Sequence, residues 1–204
     1  MDFLQLNQEI GNADLLLIDQ ILRGKFQPGN RILDAGCGEG RNMVYFIRNG
    51  YPVYGIDRDP ESVVMARLMA SSINRSYTIE NIIQSSIEEN PFPEGFFDLV
   101  ICINVLHHAR NTDHFNHMIG AMARILKKEG MMYLVMESRI RPEWQEKAYE
   151  ADGKDQKNTE KKFYLTAELL ETITSGKRLE RTGKIRSYLV EDMVSISGIW
   201  FRKI

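Results

Sequence analysis

Arg31-Ile-Leu-Asp-Ala-Gly-Cys-Gly-Glu-Gly-Arg-Asn42 decides how the rest of the chain is read. Ile32 and Leu33 form a short apolar run of the kind found in a buried strand, and Asp34 ends it. Gly36, Gly38 and Gly40 then alternate, and an apolar periodicity of helical spacing starts at about Arg41. A strand that stops, turns on glycines and enters a helix gathers bare backbone N–H groups at one point. The missing Cβ atoms let a ligand approach closely. The unusual member of the stretch is the acid before the glycines.

Working outward, the flanks alternate between strand and helix. Upstream, residues 12–22 carry Leu15, Ile18 and Leu22 at helical spacing, and Gly24 and Pro28-Gly29 end that element. Downstream, Met43, Val44, Phe46 and Ile47 are expected on the buried side of a short helix closed by Asn49-Gly50. Pro52 to Ile56 reads as a second strand ending at Asp57. Asp59-Pro60-Glu61-Ser62 starts the next helix, with an acid as N-cap and proline in the first turn. Ile82 to Ser86 is a third strand. Phe97 to Ile103 is a fourth, nearly all apolar, as suits a strand covered on both faces. Residues 113–127 form a helix with Phe115, Met118, Ile119, Met122 and Leu126 inward, closed by Lys127-Lys-Glu-Gly130. Met131 to Met136 is the fifth strand.

This alternation predicts an α/β fold: a Rossmann-like open, mostly parallel seven-stranded sheet with helices on both faces. A short helix from Thr166 to Ile173 and two strands, Ile185 to Val190 and Val194 to Phe201, predict a C-terminal antiparallel hairpin. The whole chain, 1–204, reads as one domain. Residues 1–28 are an N-terminal helical cap, 30–138 the ligand-binding core, and 140–162 a charge-mixed insertion that is a candidate lid. Ligands of such sheets bind outside the carboxyl ends of the strands, which brings Asp34, Asp57, Ser86, Asn104 and Glu137 to one rim.

Composition narrows the function. The 204 residues carry a formal net charge of −2, so no global field attracts nucleic acid. Residues 177–204 hold seven basic and three acidic side chains, which exposed strand edges commonly carry. No apolar run approaches the length of a membrane span, and the first residues have no signal-peptide pattern. Cys37 and Cys102 suggest neither a disulfide nor a metal cluster and fit a reducing, cytoplasmic setting. His114 and His117, three apart, lie off the apolar stripe and are read as part of a solvated face rather than as metal ligands.

Two cofactor classes use a strand, a glycine turn and a helix: dinucleotides and S-adenosylmethionine. The dinucleotide fingerprint Gly-x-Gly-x-x-Gly would place its third glycine at position 41, which is Arg41. Charge discriminates better. A pyrophosphate beside Asp34 would set two like charges about 6 Å apart, a cost of roughly 3 kcal/mol at an effective dielectric near 20. S-adenosylmethionine has no phosphate, and its ammonium suits an acid at the turn. Asp57, 17 positions after Gly40, can accept two hydrogen bonds from a vicinal ribose diol.

Ile32-Leu-Asp-Ala-Gly-Cys-Gly-Glu-Gly40 resembles the glycine motif of class I S-adenosylmethionine-dependent methyltransferases. Asp57 stands at that family's ribose-binding acid, and Pro91-Phe-Pro-Glu-Gly-Phe-Phe-Asp-Leu-Val-Ile-Cys-Ile-Asn-Val-Leu-His-His108 resembles its fourth-strand region. The likeness spans about residues 30–138. Gly40-Arg41-Asn42, Tyr45, Gly50-Tyr51 and Asp57-Arg-Asp-Pro60 resemble the small tellurite-resistance-type members. The resemblance implies S-adenosylmethionine as cofactor, S-adenosylhomocysteine as product and a small soluble acceptor. It implies cofactor contacts from Asp34, Gly36, Cys37, Gly38, Gly40, Arg41, Asn42, Asp57, Arg58, Ser86, Ile87 and Asn104. Ser86 stands where the family often has an acid for the adenine amino group. His107 and His108 are the candidates for a catalytic role, and no metal is expected. Two alternatives stay open: a nucleic-acid methyltransferase, although Asn104-Val-Leu-His107 lacks the Asn-Pro-Pro-aromatic pattern of base-amino methylation, and a non-catalytic module that binds the cofactor.

Overall fold

The structure, a computed structural model, describes residues 2–140, 163–176, 178–190 and 194–204. The candidate lid over 140–162 therefore lies outside the described residues, apart from Ile140.

Seven strands form one sheet: β1 (Ile32–Ala35), β2 (Val53–Asp57), β3 (Ile82–Gln84), β4 (Phe97–Ile103), β5 (Leu126–Ser138), β6 (Leu179–Val190) and β7 (Val194–Lys203). Their order is β3-β2-β1-β4-β5-β7-β6. The first five pair in parallel, and β7 runs antiparallel to both β5 and β6. The order of strands thus turns at β1, from which the chain builds outward through β2 and β3 on one side and through β4 and β5 on the other. That is where an open α/β sheet leaves a crevice above its carboxyl ends.

Among the described residues six α-helices cover the sheet: α1 (Phe3–Ile10), α2 (Leu15–Leu22), α3 (Val44–Arg48), α4 (Pro60–Ile73), α5 (Thr112–Ile125) and α6 (Ala167–Thr174). Side chains alternate across each strand, so each face has its own core. On one face Leu33, Ala35, Val100, Cys102, Leu134 and Met136 meet α5 and α6. On the other, Ile32, Ile101, Ile103, Tyr133 and Val135 meet α2, α3 and α4. Both cysteines are free and buried.

Several boundaries follow directly from local chemistry. Asp59 accepts hydrogen bonds from the Glu61 and Ser62 N–H groups and caps α4, with Pro60 in the first turn. Met43, Val44, Phe46 and Ile47 are buried as their spacing requires, although the entry from Arg41 to Met43 is 3-10 helix rather than α-helix. β4 has the bounds that its apolar run predicts.

Three expectations are corrected. The inward face of α2 is Leu16, Leu17 and Gln20, while Leu15 and Leu22 are exposed. Asp14 caps this helix through the Leu16 N–H and sets its rotation. α5 ends at Ile125, and Lys127-Lys-Glu-Gly130 is a bulge inside β5 rather than a helix stop: Leu126 pairs with Phe97 and Met131 with Leu99 across a register shift. Lys127 reaches Asp98 across that bulge, at 2.6 Å. The C-terminal strands are longer than their patterns suggest: β6 starts at Leu179 rather than Ile185 and β7 runs on past Phe201 to Lys203, because the two pair along nearly their whole length.

The N-terminal segment is built into the fold. Trp200 stacks on Tyr133, ring centroids 4.5 Å apart, and its Nε1–H donates to Gln20 Oε1 at 2.9 Å. Arg186 pairs with Asp19 at 2.8 Å, so β6 and β7 both hold α2. Basic residues of the C-terminal region are engaged in the same way. Arg202 pairs with Glu180 and Glu129, and Lys203 donates to the Leu126 carbonyl. No helix among the described residues is long and apolar enough to cross a membrane.

Candidate cofactor and active site

The glycine turn leaves β1 under tight control. The Gly36 and Cys37 N–H groups donate to the Ile56 carbonyl at 2.8 and 2.9 Å, and the Gly40 N–H to the Cys37 carbonyl at 2.9 Å. The glycines differ in what they permit. At Gly36, with φ +79°, a Cβ would come within 2.4 Å of Val105 Cγ2. Here glycine is needed for packing beneath the loop after β4. At Gly38, with φ +53°, a Cβ would meet nothing within 4 Å, so this glycine faces open space that a ligand can enter.

Asp57 closes the turn from the next strand. Its Oδ2 accepts the Gly38 N–H at 2.8 Å and its Oδ1 the Asp59 N–H at 3.0 Å. Helix capping falls to Asp59 alone. The half-buried Asp57 carboxylate keeps further lone pairs, which suit a diol.

Asp34 is the anomaly of the site. Alternation along β1 puts it on the Ile32 side, toward the face covered by α2, α3 and α4. It is fully buried, and among the described residues neither carboxylate oxygen has a hydrogen-bond partner. Burial raises its pKa to about 7; the Arg41 guanidinium pulls it down and Asp57 pushes it further up. A buried acceptor pair without donors is costly unless something supplies them. A cationic group with several N–H donors would do so, and the open space at Gly38 gives such a ligand room. The residues present therefore fit an ammonium-bearing cofactor and disfavour a phosphate.

The sequence-predicted residues divide by what they touch. Cys37 packs its thiol in the core against Gly55, where an added Cβ would lie 2.9 Å from the sulfur. With its N–H also committed, Cys37 shapes the turn. Burial pushes the thiols of Cys37 and Cys102 well up, which makes them poor nucleophiles. Gly40 makes room for Met69 and Ala66 of α4. Asn42 is buried, and its Oδ1 accepts the Asp14 N–H at 3.0 Å. Exposed Arg41 donates to the Asn12 carbonyl at 3.2 Å. These two hold the N-terminal segment against the turn. Arg58 is exposed beyond β2, and its carbonyl accepts from Gln84 Nε2. Ser86 Oγ accepts the Glu89 N–H at 3.2 Å, which makes a turn next to buried Ile87.

Beyond β4, Asn104 takes a left-handed backbone conformation, φ +58°, which asparagine tolerates better than most residues. Its N–H donates to the Val135 carbonyl at 2.8 Å, and its Nδ2 to Asp14 Oδ2 at 3.3 Å. His107 and His108 follow in a 3-10 turn, Leu106–His108, with ring centroids 4.2 Å apart; His107 is half-buried and His108 exposed. Asp14 itself is only 5% exposed, and the helical spacing of residues 12–22 does not single it out. Its signal was an N-cap acid directly before Leu15-Leu-Leu.

His114 corrects the reading of a solvated face. Arg110 donates its N–H to His114 Nδ1 at 3.1 Å, so the ring proton sits on Nε2, which faces Glu88. The pair lines an open cleft with Ser86, Arg110 and His117. Among the described residues no cluster of three or more side chains could hold a metal ion.

Comparison with known proteins agrees with this geometry. Over 108 residues the chain is 35% identical to a ubiquinone biosynthesis O-methyltransferase of Xanthomonas oryzae; the match takes in 52% of this chain and 42% of that protein. An uncharacterised methyltransferase of Synechocystis is 32% identical over 108 residues, 53% of this chain and 47% of the relative. The chain thus spans under half the length of these curated relatives. Among solved structures, magnesium protoporphyrin IX methyltransferase of Synechocystis superposes with a TM-score of 0.71 at 18% identity, covering 100% of this chain and 89% of that one. A methyltransferase of Methanosarcina mazei gives 0.66 at 20% identity, covering 90% and 97%. These structural likenesses speak to the fold. A family model described as a methyltransferase domain matches residues 33–134, from the middle of β1 to the middle of β5. With the acid-bearing glycine turn and Asp57 in place, the chain belongs to the class I S-adenosylmethionine-dependent methyltransferases.

Proposed function

We propose that this protein transfers a methyl group from S-adenosylmethionine to a small soluble acceptor. The observation that carries the reading is Asp34, a buried carboxylate without donors among the described residues, beside an open glycine turn. Support for a small acceptor comes from relatives whose names specify ubiquinone biosynthesis, and from fold neighbours named for a porphyrin.

The cofactor, when bound, supplies an electrophilic methyl group on a sulfonium. The chain's own residues bind, orient and exclude water. Asp34 and Asn104 would hold the amino-acid end, Gly38 would admit the ligand close to the turn, and Asp57 would hold the ribose diol. Arg58, Ser86 and Ile87 would line the adenine end. The acceptor's nucleophile attacks in line, and its proton leaves to water or to His107 or His108 at the rim. Arg41 and Asn42 serve indirectly, by fixing the N-terminal segment.

Titration calorimetry with S-adenosylhomocysteine tests the reading. Binding in the micromolar range is expected, and absence of binding at millimolar ligand overturns it. A panel of small acceptors with radiolabelled methyl donor then identifies the substrate. Acceptance of RNA or DNA, with affinity falling steeply with salt, would favour the nucleic-acid alternative instead.

A further inference from the structure

Asp14 and Asn104 lie 90 positions apart and meet at the carboxyl rim. Asp14 is held from three sides. Its N–H donates to Asn42 Oδ1 at 3.0 Å, its Oδ1 accepts the Leu16 N–H at 2.9 Å, and its Oδ2 accepts Asn104 Nδ2. A carboxylate can only accept hydrogen bonds, whereas the two ends of an asparagine amide have opposite roles. Asp14 Oδ2 therefore selects the NH2 end of Asn104. Asn104 Oδ1 is left over, and it takes part in no hydrogen bond among the described residues. The backbone of Asn104 is fixed as well, by its bond to the Val135 carbonyl.

We propose that Asp14 is a positioning residue: it fixes the side-chain amide of Asn104 so that Oδ1, an acceptor, is presented to the cofactor's ammonium together with Asp34. This rests on the function proposed above and assigns a role to a residue outside the glycine turn. An ammonium has three N–H donors, and Asp34 and Asn104 Oδ1 then supply three acceptor atoms. Were the amide reversed, Nδ2 would offer its own positive end to the ammonium. The same bond ties recognition to the N-terminal segment, because Asp14 caps α2 and is gripped by Asn42 of the glycine turn. That segment becomes part of the cofactor site and not only a cover for it.

The test compares two ligands on wild type, Asp14→Asn and Asp14→Ser. Both substitutions keep an oxygen that can cap α2, and both can donate as well as accept, so Asn104 is free to turn. S-adenosylhomocysteine carries the ammonium; 5′-methylthioadenosine lacks the amino-acid part. By calorimetry, both variants should bind S-adenosylhomocysteine about tenfold more weakly, with affinity for 5′-methylthioadenosine within twofold of wild type. Thermal melts identify which variants are folded, and either folded variant suffices. Equal losses for both ligands, or unchanged affinity for both, overturn the assignment. Failure of the wild type to bind S-adenosylhomocysteine overturns the proposed function and this assignment with it.

Discussion

The Gly38 N–H donates to Asp57 Oδ2 at 2.8 Å, and this bond joins the glycine turn after β1 to the end of β2. It makes Asp57 two things at once, a strut of the turn and an acceptor at the rim. The other oxygen of the carboxylate holds the Asp59 N–H, so the start of α4 depends on the same side chain.

Replacing Asp57 should therefore cost both stability and binding. Asp57→Ala removes a charged acceptor from two backbone donors, a loss of about 1–3 kcal/mol. Asp57→Asn keeps one acceptor oxygen and should fall between alanine and wild type in a urea titration. Both should weaken S-adenosylhomocysteine at least tenfold. If the alanine variant loses stability but keeps full affinity, Asp57 is a strut and nothing more.

The glycines at 36 and 38 should respond in opposite ways. Gly36→Ala drives a methyl group into Val105, whose Cγ2, Cγ1 and Cβ would all lie within 3.2 Å of it, and adds left-handed strain. A loss of about 2–4 kcal/mol is expected. Gly36→Ala with Val105→Ala should recover most of this and leave roughly 1 kcal/mol of backbone strain. Gly38→Ala meets no atom, so only that strain of about 1 kcal/mol applies, while the new methyl group occupies space a ligand would use. Its melting curve should stay near wild type as its affinity for S-adenosylhomocysteine collapses.

Much of this site was legible in the order of residues. Asp34 before alternating glycines, Asp57 at the end of the next strand and Asp59-Pro60 as a cap are local signals, and local chemistry fixes where they fall. The turn of α2 was not legible. Leu15, Leu16, Leu17, Ile18, Ile21 and Leu22 offer almost any inward face, and the choice is made by Asp14 bonding to Asn42 and Trp200 bonding to Gln20. Both bonds bridge long stretches of sequence. Gly130 misled for a related reason: a glycine after two lysines resembles a helix end. Here it lies in a bulge, where a Cβ would sit 2.8 Å from the Lys127 carbonyl.

The Trp200–Gln20 bond gives a test of how firmly the N-terminal segment is held. Gln20 is 2% exposed, and Trp200→Phe would leave its Oε1 without that donor. The expected loss is about 1–3 kcal/mol. Adding Gln20→Leu to Trp200→Phe should restore part of it, because an apolar pair leaves no unpaired polar atom. A double-mutant cycle by chemical denaturation reads the coupling directly. Additive losses would mean that the ring stack on Tyr133, and not the hydrogen bond, anchors α2.

Asp34 makes the protein's behaviour with pH distinctive. Its carboxyl is raised by burial to about 7, well above the ordinary carboxylate value near 3.9. The sign follows from proton binding. Between pH 4 and 7 the folded state holds a proton at Asp34 that the unfolded state has released, so this group lowers stability as pH rises. Above pH 7 both states are ionised and the penalty is complete, on the order of 4 kcal/mol. Asp34→Asn should remove that slope, and the ligand-free variant should be the more stable protein at pH 8. Binding runs the other way. An ammonium needs the ionised carboxylate, whose fraction is about 1% at pH 5 and one half at pH 7. Affinity for S-adenosylhomocysteine should therefore rise about fiftyfold from pH 5 to 7 in the wild type and stay nearly flat in Asp34→Asn. Calorimetry in buffers of different ionisation enthalpy adds an independent readout: near pH 6 the wild type should release close to one proton per ligand bound. Binding that shows neither the proton release nor the pH dependence would mean that the ammonium is held elsewhere on the rim.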